Sequence, residues 1–130
     1  MASLKEMKMS DETILIIDDS ETDRKIFSRF LKKAGYEKII TAETGEEGIK
    51  KAKLKNPDLV ITDTMLPGIN GFEVCRQLRK NFGSHKPKII ICTGSIAAVD
   101  AIEARRAGAN DYCVKTSDAA PLLETVKRLL

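Results

Sequence analysis

Five polar side chains of this 130-residue chain stand where they could act together: Asp18, Asp19, Asp63, Thr93 and Lys115, each closing a short apolar run. Three carboxylates in close quarters repel one another and raise each other's pKa unless positive charge relieves them. An oxygen-only cluster of this size suits Mg²⁺, which takes one or two carboxylates, a carbonyl and several waters, and then a phosphate oxygen. Lys115 supplies a fixed positive charge and Thr93 a hydroxyl donor. An oxygen nucleophile, a metal, a cation and a donor are the set that a phosphoryl group needs.

Those residues have to be positioned by elements, and the chain alternates regularly enough to name them. Thr13–Asp18 is an apolar, β-branched run, the mark of a strand buried on both faces. Glu21–Lys33 carries Ile26, Phe27, Phe30, Leu31 and Ala34 at helical spacing and is stopped by Gly35. Lys38–Ala42 reads as a second strand. Thr44-Gly45-Glu46-Glu47 reads as a capping box for a helix that Asn56-Pro57 closes. Leu59–Asp63 is a third strand; Asn70 caps a helix with Phe72, Cys75 and Leu78 on one side. Lys88–Thr93 is a fourth strand, and Ser95 can cap a helix over Ala98, Val99 and Ile102 that ends at Gly108. Asp111–Lys115 is a fifth strand, and Ser117 or Asp118 starts a last helix carrying Leu122, Val126, Leu129 and Leu130.

Strands alternating with helices in this way predict an α/β domain whose parallel sheet is covered on both faces. In such sheets ligands bind beyond the carboxyl ends of the strands, where strand order reverses. Asp18, Asp19, Asp63, Thr93 and Lys115 all fall on that edge. Residues 1–12 are polar and without periodicity, a flexible leader, so the expected domain is 13–130.

Composition narrows the function classes. Apolar residues make up 42% and charged residues 32%, the balance of a globular domain rather than a disordered chain. No apolar run approaches the roughly 18 residues of a membrane span, and no secretory h-region follows the start, so no membrane partner and a cytoplasmic location are expected. The net charge of +3 comes from dispersed lysines and arginines, some at i,i+4 spacing from acids (Glu46–Lys50, Glu47–Lys51), without aromatic platforms beside them. Direct nucleic-acid binding is therefore not expected. Cys75, Cys92 and Cys113 form no C-x-x-C pair and His85 is the single histidine, so the thiols read as small buried hydrophobes.

Asp18-Asp19-Ser20, Asp63-Thr64-Met65-Leu66-Pro67-Gly68 running to Gly71, Thr93-Gly94, and Gly108-Ala109-Asn110-Asp111-Tyr112-Cys113-Val114-Lys115 together resemble the receiver domains of bacterial two-component response regulators. The similarity covers the chain from Thr13 onward. It implies a flavodoxin-like doubly wound fold with strand order 2-1-3-4-5, the order of the chemotaxis member of the family. It further implies that Asp63 takes a phosphoryl group from a phosphohistidine on a sensor histidine kinase or phosphotransfer protein. Asp18, Asp19, Asp63 and the backbone carbonyl of Met65 would hold Mg²⁺, with Mn²⁺ or Ca²⁺ as substitutes. Lys115 would pair with the phosphoryl oxygens, Thr93 would donate its hydroxyl to them, and Tyr112 would be the aromatic ring that turns inward as the threonine moves. The face made by the fourth helix, fifth strand and fifth helix would then control an output domain or target protein. On this reading the chain is no enzyme beyond self-catalysed phosphoryl transfer and autodephosphorylation.

The chain departs from the family at one place. Receivers usually follow the lysine with proline in a cis peptide, and here Thr116 follows Lys115. A non-proline cis bond costs ~2.5–4 kcal/mol, so either the site bears strain or the loop takes a trans path. The last helix also meets no stop signal at Leu129-Leu130, as expected of a chain that once ran on into an output domain.

Each residue alone has an ordinary reading. Asp18 or Asp19 could be solvated loop acids or caps (the better reading for Asp111), Thr93 a strand-end hydroxyl, Lys115 a surface lysine and Tyr112 core packing. Joint occurrence overturns these readings. A haloacid-dehalogenase-type phosphohydrolase would need D-x-D on its first strand, whereas Asp18 and Asp19 are adjacent. Neither nucleotide-binding glycine motif occurs. The remaining alternative is a pseudo-receiver, a protein-interaction module of the same fold that is never phosphorylated.

Overall fold

The computed structural model describes residues 10–94 and 98–130. Among these residues, strands β1 (Ser10–Ile17), β2 (Tyr36–Ala42), β3 (Leu59–Thr62), β4 (Lys88–Thr93) and β5 (Asp111–Val114) alternate with helices. The helices are α1 (Glu21–Lys33), α2 (Gly45–Lys55), α3 (Gly71–Phe82), α4 (Ala98–Ala107) and α5 (Ala120–Leu129). The sheet order is β2-β1-β3-β4-β5 with every pairing parallel, the doubly wound arrangement expected from the sequence.

Side chains alternate across a strand, so continuous apolar runs must feed two cores. Leu15, Ile17, Val60, Ile89 and Ile91 face one core, closed by Ile49 and Ala52 of α2, Cys75 and Leu78 of α3, and Ala104 and Ala107 of α4. Ile14, Ile16, Leu59, Ile61, Ile90 and Cys92 face the other, closed by Phe27 and Leu31 of α1 and Leu122 and Val126 of α5. All three cysteines are free and buried, as the composition suggested.

Two helix starts follow the capping residues read from the sequence, Thr44 and Asn70, and the first helix is capped by Ser20. Ser20 Oγ accepts from Asp23 N–H, Thr44 Oγ1 from Glu47 N–H and Asn70 Oδ1 from Glu73 N–H. Glu47 and Lys51 form the expected ion pair at 2.9 Å. Asn56 ends α2 in the left-handed region (φ 46°), which asparagine tolerates better than most residues.

Several boundaries differ from expectation. β1 begins at Ser10, because Ser10 N–H reaches Gly35 O at 2.8 Å and extends the pairing with β2 ahead of the apolar run. Residues 1–9 and the proposed cap Ser95 lie outside the described residues. Ile102 is exposed, not core-facing; the buried side of α4 is carried by Ala104 and Ala107. The last helix is capped by Ala119 (φ 54°), not by Ser117 or Asp118. Asp118 still serves it, since Asp118 Oδ1 accepts the Ala120 N–H at 3.0 Å.

The register is what matters for function. Ile17 pairs with Thr62, and Thr93 with Val114, so the residues that follow β1, β3 and β5 emerge on one edge of the sheet.

Candidate functional site

Backbone bonds carry the sheet one step past its strands and fix the roots of the acidic residues. Asp18 N–H donates to Ala42 O, and Asp63 N–H donates to Ile17 O, both at 3.0 Å. Lys115 N–H donates to Thr93 O at 2.7 Å. Carboxylate oxygens of Asp18, Asp19 and Asp63 consequently lie within 4.8 Å of one another. Asp18 is buried, Asp63 partly buried and Asp19 exposed, so the cluster is open to solvent on one side.

Lys115 reaches over this cluster. Its Nζ donates to Asp63 Oδ2 at 2.9 Å and to Asp23 Oδ2 at 2.9 Å. Asp18 Oδ2 is 2.8 Å away, an ion pair without the alignment of a hydrogen bond. Burial disfavours the ammonium, but its contacts with the Asp18, Asp23 and Asp63 carboxylates outweigh it and raise the lysine's pKa. Lys115 is therefore a permanent cation here. Asp63 is oriented from its other side as well, Oδ1 accepting the Thr64 N–H at 2.7 Å.

Asp18 is the residue under electrostatic load. Burial raises its pKa against the opposing pull of Lys115 and of the Ser20 N–H on Oδ1, and the Asp63 charge adds to the rise. Its Oδ2 is buried and meets only the Lys115 ammonium, which it shares with Asp23 and Asp63. A buried anionic oxygen in that condition is costly, and a hard cation would satisfy it. The donor set of Asp18, Asp19 and Asp63 fits a divalent oxygen-seeking ion on that ground.

Thr93 is buried beside the site, and its hydroxyl meets that of Thr64 at 3.1 Å. In this arrangement the hydroxyl pairs with Thr64. Tyr112 is partly buried against the core on the α2–α3–α4 side. It lines a hollow of about 290 Å³ with Ala101, Ala104 and Arg105 of α4. Met65 lies on the loop after β3 with its side chain 78% exposed. Among the described residues the one cis peptide is Lys86–Pro87, so the Lys115–Thr116 bond is trans. Larger hollows, about 440 Å³ against α1 and 430 Å³ along α4, lie away from the acidic cluster.

Two participants escaped the sequence reading. Asp23 sits in the first turn of α1, where an acid is expected simply to favour the helix dipole. Thr64 follows Asp63 and shows no periodic or capping signal. Their roles depend on contacts 92 and 29 residues away, which no local pattern reports.

Comparison with known proteins agrees with this geometry. Residues 14–127 match the response regulator receiver domain family. The chain belongs to that family. The receiver is 37% identical over 117 residues to protein PilH of Pseudomonas aeruginosa, covering 90% of this chain and 96% of PilH. It is 35% identical to the alkaline phosphatase synthesis transcriptional regulatory protein PhoP of Bacillus subtilis, covering 92% of this chain and 49% of PhoP. It thus spans about half the length of such transcriptional regulators. Among solved structures it resembles the chemotaxis protein CheY4 of Vibrio cholerae (30% identity, TM-score 0.85, 93% of this chain and 100% of that one). It also resembles the response regulator TrrA of Thermotoga maritima, solved with Mg²⁺ and beryllofluoride (39% identity, TM-score 0.82, 92% and 99%). As a receiver of a two-component system, the domain implies a kinase or phosphotransfer partner.

Proposed function

We propose that this receiver accepts a phosphoryl group on Asp63 from a phosphohistidine of a sensor histidine kinase or phosphotransfer protein, and that the modified domain controls an output. The observation that carries the proposal is the convergence of Asp18, Asp19, Asp63 and Lys115 on one sheet edge, where the buried Asp18 Oδ2 meets only an ammonium that Asp23 and Asp63 share. A bound Mg²⁺ would supply charge neutralisation at the phosphoryl oxygens. Asp18, Asp19 and Asp63 would hold it, with the Met65 carbonyl as a further ligand; TrrA's complex with Mg²⁺ and beryllofluoride supports this choice of ion.

The chain's own residues account for the rest. Asp63 is held from both sides, by Thr64 N–H and Lys115 Nζ, so it is oriented before the donor arrives. A carboxylate oxygen of Asp63 forms the O–P bond as the N–P bond of the phosphohistidine breaks, and the imidazole leaves with the electron pair. Lys115 takes up charge on the transferred group. Thr93 exchanges its Thr64 partner for a phosphoryl oxygen, and Tyr112 follows into the hollow beside α4. The face of α4, β5 and α5 then carries the change to the output, a population shift that needs only a few kcal/mol of differential contact. The chain acts on itself, by self-catalysed transfer and autodephosphorylation, and works in the cytoplasm without binding nucleic acid or membrane itself. The pseudo-receiver reading is not favoured, since every acid and cation that the chemistry requires is present at the edge.

Radiolabelled phosphotransfer from a phosphohistidine-bearing donor tests the assignment. The label is expected on the wild type in a hydroxylamine-labile acyl linkage and to be absent from a folded Asp63→Asn variant. Normal labelling of that variant would place the acceptor elsewhere.

A further inference from the structure

Lys115 has one partner more than the proposed chemistry uses. An ammonium carries three N–H donors. Two are aligned on Asp63 Oδ2 and Asp23 Oδ2, each at 2.9 Å. Asp23 is outside the trio of carboxylates suited to a cation. Its side chain is 32% exposed, against 11% for Asp63, and it is held at the rim by the first turn of α1, whose cap Ser20 binds the Asp23 N–H at 3.2 Å.

We propose that Asp23 is a positioning residue that holds Lys115 back from the phosphoryl group and so sets how tightly the site keeps it. The inference rests on the phospho-acceptor reading of Asp63. In the resting site Asp18, Asp23 and Asp63 share the ammonium. Once Asp63 is esterified its own oxygens lose most of their charge, and the phosphoryl oxygens become the natural acceptors for Lys115. A donor that stays with Asp23 is withheld from them, and a donor that moves gives up a charge-assisted bond. Either way Asp23 favours the unmodified state. Its direct repulsion of the phosphoryl group is the lesser effect, because a carboxylate this exposed is screened by water and salt.

The test is the concentration of beryllofluoride, a non-covalent phosphoryl mimic, that half-saturates the whole chain in excess Mg²⁺, followed by amide NMR. Asp23→Asn keeps the shape and removes the charge, and should lower that concentration about three- to tenfold, the size of one charge-assisted bond redirected. Asp23→Glu restores the carboxylate and should return the value toward wild type. In a Lys115→Met background, Asp23→Asn should have no effect on it. A merely structural contact would loosen binding or lower stability on removal, not tighten binding. Unchanged or weaker binding by Asp23→Asn overturns the inference, as does the same tightening without Lys115. If wild type binds and Asp23 has no influence, only this inference fails. If neither wild type nor variant binds beryllofluoride, the phospho-acceptor reading fails and this one with it.

Discussion

Asp18 is a charge that the fold tolerates at a cost. It is 1% exposed, and Lys115 is shared among three acids, so its carboxylate is incompletely compensated. Burial raises its folded pKa above the ordinary value of 3.8. The sign follows: the protonated form is favoured in the fold, so the group's contribution to stability is present below 3.8 and is lost as pH rises through the raised folded pKa. At pH 7 and without divalent cation, Asp18→Asn should therefore stabilise the domain, by roughly 2–6 °C in melting temperature. The gain should shrink toward pH 3 as the wild-type carboxyl takes up its proton. Divalent cation should raise the melting point of wild type and leave Asp18→Asn nearly unmoved. Thermal denaturation at two pH values, with and without Mg²⁺, checks all three. A lower melting point for Asp18→Asn at pH 7 would mean that Lys115 compensates the charge after all. Residue types alone revealed the acids and the lysine but not their loads, because burial and the sharing of one ammonium are properties of the folded edge.

The segment between β3 and α3 decides whether Asp63 stands at the right angle. Gly71 opens α3 so close to β3 that a Cβ on it would lie 2.0 Å from Asp63 O and 3.1 Å from Thr64 Cα. Gly71 N–H also donates to Thr64 O at 3.0 Å. Gly71→Ala must push this backbone away, at a cost of roughly 1–3 kcal/mol typical of overpacking. It should also slow phosphorylation of Asp63, since the displaced carbonyl belongs to the acceptor itself. Urea unfolding together with labelling rate checks both, and a stable variant labelled at the wild-type rate would show that the loop yields freely. The elements themselves were largely legible. Thr44 and Asn70 announce helix starts because capping is a local interaction, and β4 shows as an unbroken apolar run. The start of β1 at Ser10 and the Ala119 cap were not legible. The first depends on a partner strand, and the second is a left-handed residue with no side-chain cap bond, so neither has a side-chain signature.

At the level of the whole molecule, the parallel sheet gives the acids a common floor. β4 and β5 carry Thr93 and Tyr112 on adjacent strands, and Tyr112 lines a hollow with Ala101, Ala104 and Arg105 of α4. On the proposed function, a bias applied at the cluster would pass through two neighbouring strands rather than through a long chain of contacts. Strand order was not readable from periodicity, since alternating runs leave the order of a sheet open; resemblance supplied it, and the pairings agree. The central claim is that this edge takes a phosphoryl group on Asp63 with the help of a divalent cation. Intact mass after incubation with acetyl phosphate, with Mg²⁺ and with chelator, on wild type and Asp63→Asn, tests it most directly. The account predicts a gain of one phosphoryl group that requires both Mg²⁺ and Asp63. A gain of the same size in chelator, or in Asp63→Asn, would contradict it.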